Sequence, residues 1–200
     1  MISELQKNDN IDKIAHLIYI TAIDLFDMLF SRKKAISSLT HLIIEQGNMF
    51  SFEYVTVYKE NDIIAGVIVG HSGKDKKLIR MKERKVFIKA IGYFRAFHYF
   101  VMMKPVLRWL MKFDLKENEF YISNIGVDEK YRGKGIGTQL IKHIISEQQR
   151  KGTGKVYLDV EANNTNAKRL YESMGFKIEK KRTIGLFDKK VIVLTMYLSV

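Results

Sequence analysis

Apolar residues recur at helical spacing through "IDKIAHLIYITAIDLFDMLF". Ile11, Ile14, Ala15, Ile18, Ala22, Leu25, Phe26 and Leu29 fall on one stripe, and Asn10 stands where an N-cap belongs. One helix is predicted there. Residues 33–46, "KKAISSLTHLIIEQ", predict a second, stopped by Gly47. The period then shortens to two. "FSFEYVTVYKENDIIAGVIVG" reads as two strands rich in β-branched residues around a turn at Glu60-Asn61-Asp62, which is a hairpin. Strand patterning returns at 119–127, "EFYISNIGV", and in "KVYLDVEA". Between them a helix is predicted over 134–150, with Ile136, Leu140, Ile141, Ile144 and Ile145 on one face and Gly152-Thr153-Gly154 closing it. "NTNAKRLYESMG" predicts a short helix with asparagine at its start and Gly175 as its stop. "FKIEKKRTI" and "KKVIVLTMYLSV" form a last hairpin. The predicted order is α-α-β-β, an interruption, then β-α-β-α-β-β, with no internal repeat.

The interruption, residues 74–118, changes the picture. It holds thirteen Lys and Arg against four acids, and so carries most of the net charge of +12. Phe87, Tyr93, Phe94, Phe97, His98, Tyr99, Phe100, Trp109 and Phe113 are interleaved with the charges. Pro105, the one proline, is expected to divide two helical pieces. The segment reads as a basic, aromatic, helical insertion.

A length of 200 residues suits a single domain spanning 1–200 with that insertion. There is no cysteine, which removes disulfides, thiolate metal sites and cysteine nucleophiles. The five histidines show no metal-ligand spacing, so no metal is expected. The N-terminus is polar and charged rather than a signal peptide, and no stretch reaches the roughly 18 apolar residues of a membrane span. The chain reads as soluble and cytoplasmic. Its positive charge favours anionic partners without choosing among them.

The candidate chemistry sits in "VDEKYRGKGIGTQL". Gly133, Gly135 and Gly137 alternate with Arg132 and Lys134 where a helix begins. A helix start offers unpaired N–H groups and the positive end of its dipole. Glycine removes the Cβ atoms that would hold a phosphate away. A pyrophosphate is the natural occupant. A Walker loop is absent, because no Gly-Lys is followed by Ser or Thr at the required spacing. A dinucleotide fingerprint fits poorly, since its third glycine slot is filled by Thr138 or Leu140, although Asp159 lies ~20 residues on, where a ribose-binding acid would stand. A flexible surface turn is the plain alternative.

"RGKGIG", residues 132–137, resembles the acetyl-CoA signature of the GNAT superfamily of N-acetyltransferases, and "LDVEANNTNAKRLYESMGF" resembles the fifth strand and following helix of that family. The strong match covers residues 119–177; the first half agrees in element order only, and the insertion lies outside the minimal fold. The resemblance implies an α/β (α+β) fold: a mixed, mostly antiparallel twisted sheet of six to seven strands flanked by helices. The sheet would splay between its fourth and fifth strands, with a bulge expected at Gly126. Acetyl-CoA would be the co-substrate. Its pantetheine arm would pair with Ile125, Gly126 and Val127, its pyrophosphate would meet the N–H groups from Arg132 through Gly133, Lys134, Gly135, Ile136 and Gly137 to Thr138, and Asn164 would bond the arm.

Acetyl transfer to an amine needs a proton removed from the amine, an acyl oxygen stabilised and a thiolate protonated. By resemblance, Tyr171 is the acid facing the sulfur. Asp159 matches the glutamate position of ribosomal-protein N-terminal acetyltransferases; being shorter, it would work through water. Glu161 projects from the same face of its strand, and a backbone N–H near Val127 would serve the acyl oxygen. Asn124 could face the acceptor or be buried and satisfied. His98 reads as packed among aromatics. The acceptor is expected to be a small-molecule or peptide amine and not a polycation, with no nucleic acid partner expected and a homodimer left open. Two other readings stand beside this one: a catalytically weak acetyl-CoA-binding module, and a protein that uses the basic insertion on an anionic surface.

Overall fold

A computed structural model describes residues 1–6, 8–103, 115–186 and 189–200. Seven strands form one sheet in the order β1-β2-β3-β4-β5-β7-β6. These are β1 (Ile2–Glu4), β2 (Val55–Glu60), β3 (Ile63–Ser72), β4 (Glu119–Val127), β5 (Lys155–Glu161), β6 (Lys177–Leu186) and β7 (Lys189–Ser199). Every neighbouring pair is antiparallel except β4 and β5. The helices are α1 (Ile11–Tyr19), α2 (Ile23–Phe30), α3 (Ala35–Ile44), α4 (Gly73–Ile91), α5 (Tyr93–His98), α6 (Ile136–Arg150) and α7 (Thr165–Ser173).

The centre of the sheet is buried on both faces. Val67 and Val69 of β3 join a core with Ile14, Leu17, Phe26, Phe30, Leu39 and Phe87 from α1 to α4. Ile68, the residue between them, joins a second core with Ile122, Ile136, Leu140, Leu158, Tyr171 and Phe176. Alternation along one strand thus feeds two cores, which is why β3 is buried from Ile64 to His71. Each large side chain so enclosed contributes about 1.5–3 kcal/mol.

Local chemistry sets the boundaries. Asn61 and Asp62 both have positive φ, 50° and 61°, giving the two-residue turn that matches strand twist between β2 and β3. Asn10 caps α1 through Lys13 N–H, and Ser72 with Asp75 forms a full capping box on α4. Gly175 closes α7 at φ 91°.

Three expectations change. The single helix over 11–30 is two helices, because the chain tightens at Thr21, whose N–H and hydroxyl both bond Ile18 C=O. Thr21 Oγ1 then accepts from Asn124 Nδ2 at 2.7 Å and ties α1 to β4. The N-terminus contributes the edge strand β1, paired with β2; three residues are too few for a period to show. The bulge lies not at Gly126, which pairs regularly with Val67, but opposite the Val69/Gly70 step, where Ser123 is skipped. Gly126 serves another purpose: a Cβ there would stand 2.3 Å from Leu17 C=O, so α1 can lie close only over glycine. The expected division at Pro105, like Trp109 and Phe113, lies outside the described residues. The insertion begins as helix at Gly73 and continues through α5 into a π-helical turn at Tyr99–Met103.

Candidate active site

β4 and β5 start as partners and then part. Their pairing runs from Glu119 with Lys155 to Ile122 with Leu158 and stops. Beyond that, Asn124 to Val127 pair only with β3, and Asp159 to Glu161 pair only with β7. The bulge at Ser123 stands where the split begins. A slot opens toward the C-terminal ends of two parallel strands, edged by backbone without a ladder partner, which an extended chain can enter as an added strand.

Both strands lead to helix starts at that end. β4 runs through Asp128–Tyr131 into the glycine loop and α6. Gly133 and Gly135 have φ of 80° and 76°, a region costly for any residue with a Cβ. A Cβ on either would meet nothing within 4 Å, so the space above them is open. Gly137 has ordinary φ. Gly135 is the N-cap of α6 and supplies no side-chain bond, whereas α1, α4 and α7 are each capped by a side chain. The first bond within α6 runs from Gln139 N–H to Gly135 C=O at 3.0 Å. The N–H groups of Ile136, Gly137 and Thr138 therefore precede the helical ladder, at the positive end of the dipole. Arg132 and Lys134 flank them, both exposed; Lys134 Nζ lies 3.4 Å from Glu60 and 5.0 Å from the Tyr131 ring centre.

β5 leads into α7, which Asn164 caps by accepting from Ala167 N–H at 3.1 Å. Tyr171, on α7, is buried in the core that holds Ile122, Leu158 and Phe176. Burial pushes its phenol up to about 12, so the proton is held firmly.

Asp159 lies on the opposite face of the sheet, because Leu158 and Val160 share Tyr171's core. Its carboxylate accepts from Thr195 Oγ1 at 2.6 Å, Arg182 Nη2 at 2.7 Å and Tyr121 Oη at 3.1 Å. Burial and the Asp159 charge hold the Tyr121 phenol well above its ordinary range. His71 lies edge-on to Tyr54 and Tyr121. Its Nδ1 is buried with no hydrogen-bond partner among the described residues, and burial lowers the ring to about 4, leaving it neutral at physiological pH. Glu161 is exposed, and Asn124 is buried and bonded to Thr21. The surroundings of the His98 side chain lie outside the described residues.

Ile125, Gly126 and Val127 thus lie on the part of β4 that no longer pairs with β5, the 132–138 loop and Asn164 follow the ends of those two strands, and Tyr171 and Asp159 lie on opposite faces of the sheet. The pattern of the sequence did not point to Tyr121, His71, Arg182 or Thr195. Arg182 sits in "KIEKKRTI", where it looks like one more solvated cation; only the β6–β7 register turns it inward. Among the described residues no group of three His, Asp or Glu could hold a metal ion.

The profile of the acetyltransferase (GNAT) family matches residues 23–176. The chain belongs to that family. Its GNAT sheet is similar over its whole length to a crystal structure described as an acetyltransferase, at TM-score 0.71 and 26% identity, covering 100% of this chain and 99% of that one. It is also similar in fold to a Bacillus subtilis acetyltransferase solved in complex with CoA, at TM-score 0.57 and 15% identity, covering 100% and 97%. Among curated proteins, the [ribosomal protein bS18]-alanine N-acetyltransferase of Escherichia coli (strain K12) is 41% identical over 59 residues, 30% of this chain. That match spans 40% of the relative's own length.

Proposed function

We propose that this GNAT protein transfers the acetyl group of acetyl-CoA to the primary amine of a peptide or protein N-terminus by direct attack. The observation that carries the reading is the split between β4 and β5, opening where α6 begins without a side-chain cap. The open cradle over Gly133 and Gly135 fits a pyrophosphate, and the unpaired edge of β4 fits a pantetheine arm. The Escherichia coli relative is named for an alanine acceptor on a protein, which supports a peptide over a small polycation.

Acetyl-CoA, when bound, supplies an activated acyl group and a thiolate leaving group. Ile125 and Val127, whose backbone groups point away from β3, would hold the arm, with Gly126 between them turned to β3, and the N–H groups from Arg132 to Thr138 would hold the diphosphate. A single helix start gives only about 0.3–2 kcal/mol to an anion, so the amides and the Arg132 cation act together. Asn164 keeps its amide nitrogen for the arm while its oxygen caps α7. The Val127 N–H polarises the acyl oxygen, worth about 3 kcal/mol when well aimed.

Tyr171 donates to the sulfur. A phenol near 12 gives up its proton less readily than a thiol of about 8.5 in water. The apolar walls that raise the phenol also desolvate the thiolate, which narrows the gap. A carboxylate has about four acceptor positions. Tyr121, Thr195 and Arg182 each take one on Asp159, and the remaining position receives the ammonium proton through a water.

Calorimetry with acetyl-CoA and thiol release with a panel of short peptides test this, with mass spectrometry locating the added acetyl group on the α-amine. Tyr171→Phe should lower turnover about 10²-fold while leaving cofactor uptake unchanged. Folded protein that takes up no acetyl-CoA would end the reading; uptake with acetylation of small amines alone would end its peptide half.

A further inference from the structure

The GNAT site makes no use of the outward face of the insertion. On α4 that face carries Lys74, Leu78, Met81, Lys82, Arg84 and Lys85, all exposed, while Lys89 beside them pairs with Glu45 at the end of α3. At 100° per residue, Lys74, Leu78, Met81 and Lys85 fall within one narrow stripe. The two acids of α4 are elsewhere: Asp75 closes the capping box, and Glu83 is buried. After Gly92, α5 buries Ala96 and turns Phe94 and Phe97 outward, and Val101 follows them at the next turn. Met81 is 76% exposed and Phe94 87%, and exposed apolar side chains grouped together mark interaction surfaces.

We propose that this face, from Lys74 to Val101, docks the protein on an anionic lipid bilayer. A helical surface with cations around apolar side chains lies in the plane of a bilayer interface, its apolar groups at the acyl boundary and its cations on lipid phosphates. Charge complementarity selects the anionic surface. Leu78, Met81 and Val101 favour lipid over nucleic acid, since aliphatic side chains gain most at the acyl boundary and nothing from a hydrated phosphodiester. No helix among the described residues is long and apolar enough to cross a membrane, so the association is with the surface.

The test is sedimentation of the full chain with vesicles of phosphatidylcholine alone and with about a third phosphatidylglycerol. Binding should appear with the anionic vesicles, weaken with salt, and be outcompeted poorly by single-stranded DNA. Each surface cation is worth about fivefold in partition, so Lys74→Glu with Lys85→Glu should cost at least tenfold. Phe94→Ser with Phe97→Ser should cost a similar factor without changing acetyl-CoA uptake or melting temperature, which separates this face from the catalytic reading. Three results would each overturn it: no partition into anionic vesicles, binding indifferent to the two phenylalanines, or tighter binding to DNA than to vesicles. So would sedimentation equilibrium showing a dimer that the phenylalanine changes dissolve.

Discussion

His71 and Asp159 lie on the same face of the sheet and differ in how their polar atoms are satisfied. Asp159 has three donors; His71 Nδ1 has none among the described residues. The histidine's lowered value, about 4 against an ordinary 6.5, means that the folded protein binds fewer protons than the unfolded chain between those values. Stability from this group is complete above 6.5 and is lost as pH falls through about 4, a change of about 3 kcal/mol. Urea melts between pH 7 and 4 should show that loss, and His71→Leu should flatten it whatever it does to stability at pH 7. Asp159→Asn separates two roles. As the proton acceptor, its loss cuts kcat about 10²–10⁴-fold while acetyl-CoA uptake holds. If Asp159 only holds Tyr121 and Arg182, the variant lowers the melting temperature and leaves kcat within a few-fold.

At the scale of elements, Gly126 shows where sequence reading works and where it stops. The strand 119–127 and the helix after it are plain in the hydrophobic pattern, because periods of 2 and 3.6 are local properties of a chain. The bulge is not, because it is a relation between β3 and β4. A skipped Ser123 flips the strand's alternation: Ile122 faces the α6 core, while Asn124 and Gly126 face α1. A glycine in a strand signals a bulge or a close approach equally well, and here the close approach is Leu17. Gly126→Ala should therefore push α1 away and destabilise the protein by about 1–3 kcal/mol in a denaturant melt. An alanine tolerated without loss would mean that α1 has room to move. The inward Arg182 was hidden for the same reason as the bulge, since register across β6 and β7 decides it, while the glycine loop was legible because its positive-φ residues and its helix lie within six positions of one another.

At the scale of the whole molecule, the split sheet joins the two halves of the site. The first half of the chain builds the core beneath α1 to α4, and the second half builds the core around α6 and α7; β3, buried on both faces, belongs to both. An occupant of the slot would bridge edges that no strand pairs, β4 beyond Ile122 and β5 beyond Leu158. It would therefore bind the folded state alone, and at 100 times its dissociation constant it would add about 2.7 kcal/mol. Acetyl-CoA should raise the melting temperature in a concentration-dependent way. Hydrogen exchange should place new amide protection at Ser123–Val127 and Ile136–Thr138, with none gained across α4 and α5, whose outward face takes no part in the slot. Protection that appeared on α4 while β4 stayed unchanged would move the cofactor away from the split and leave the parted strands without a ligand.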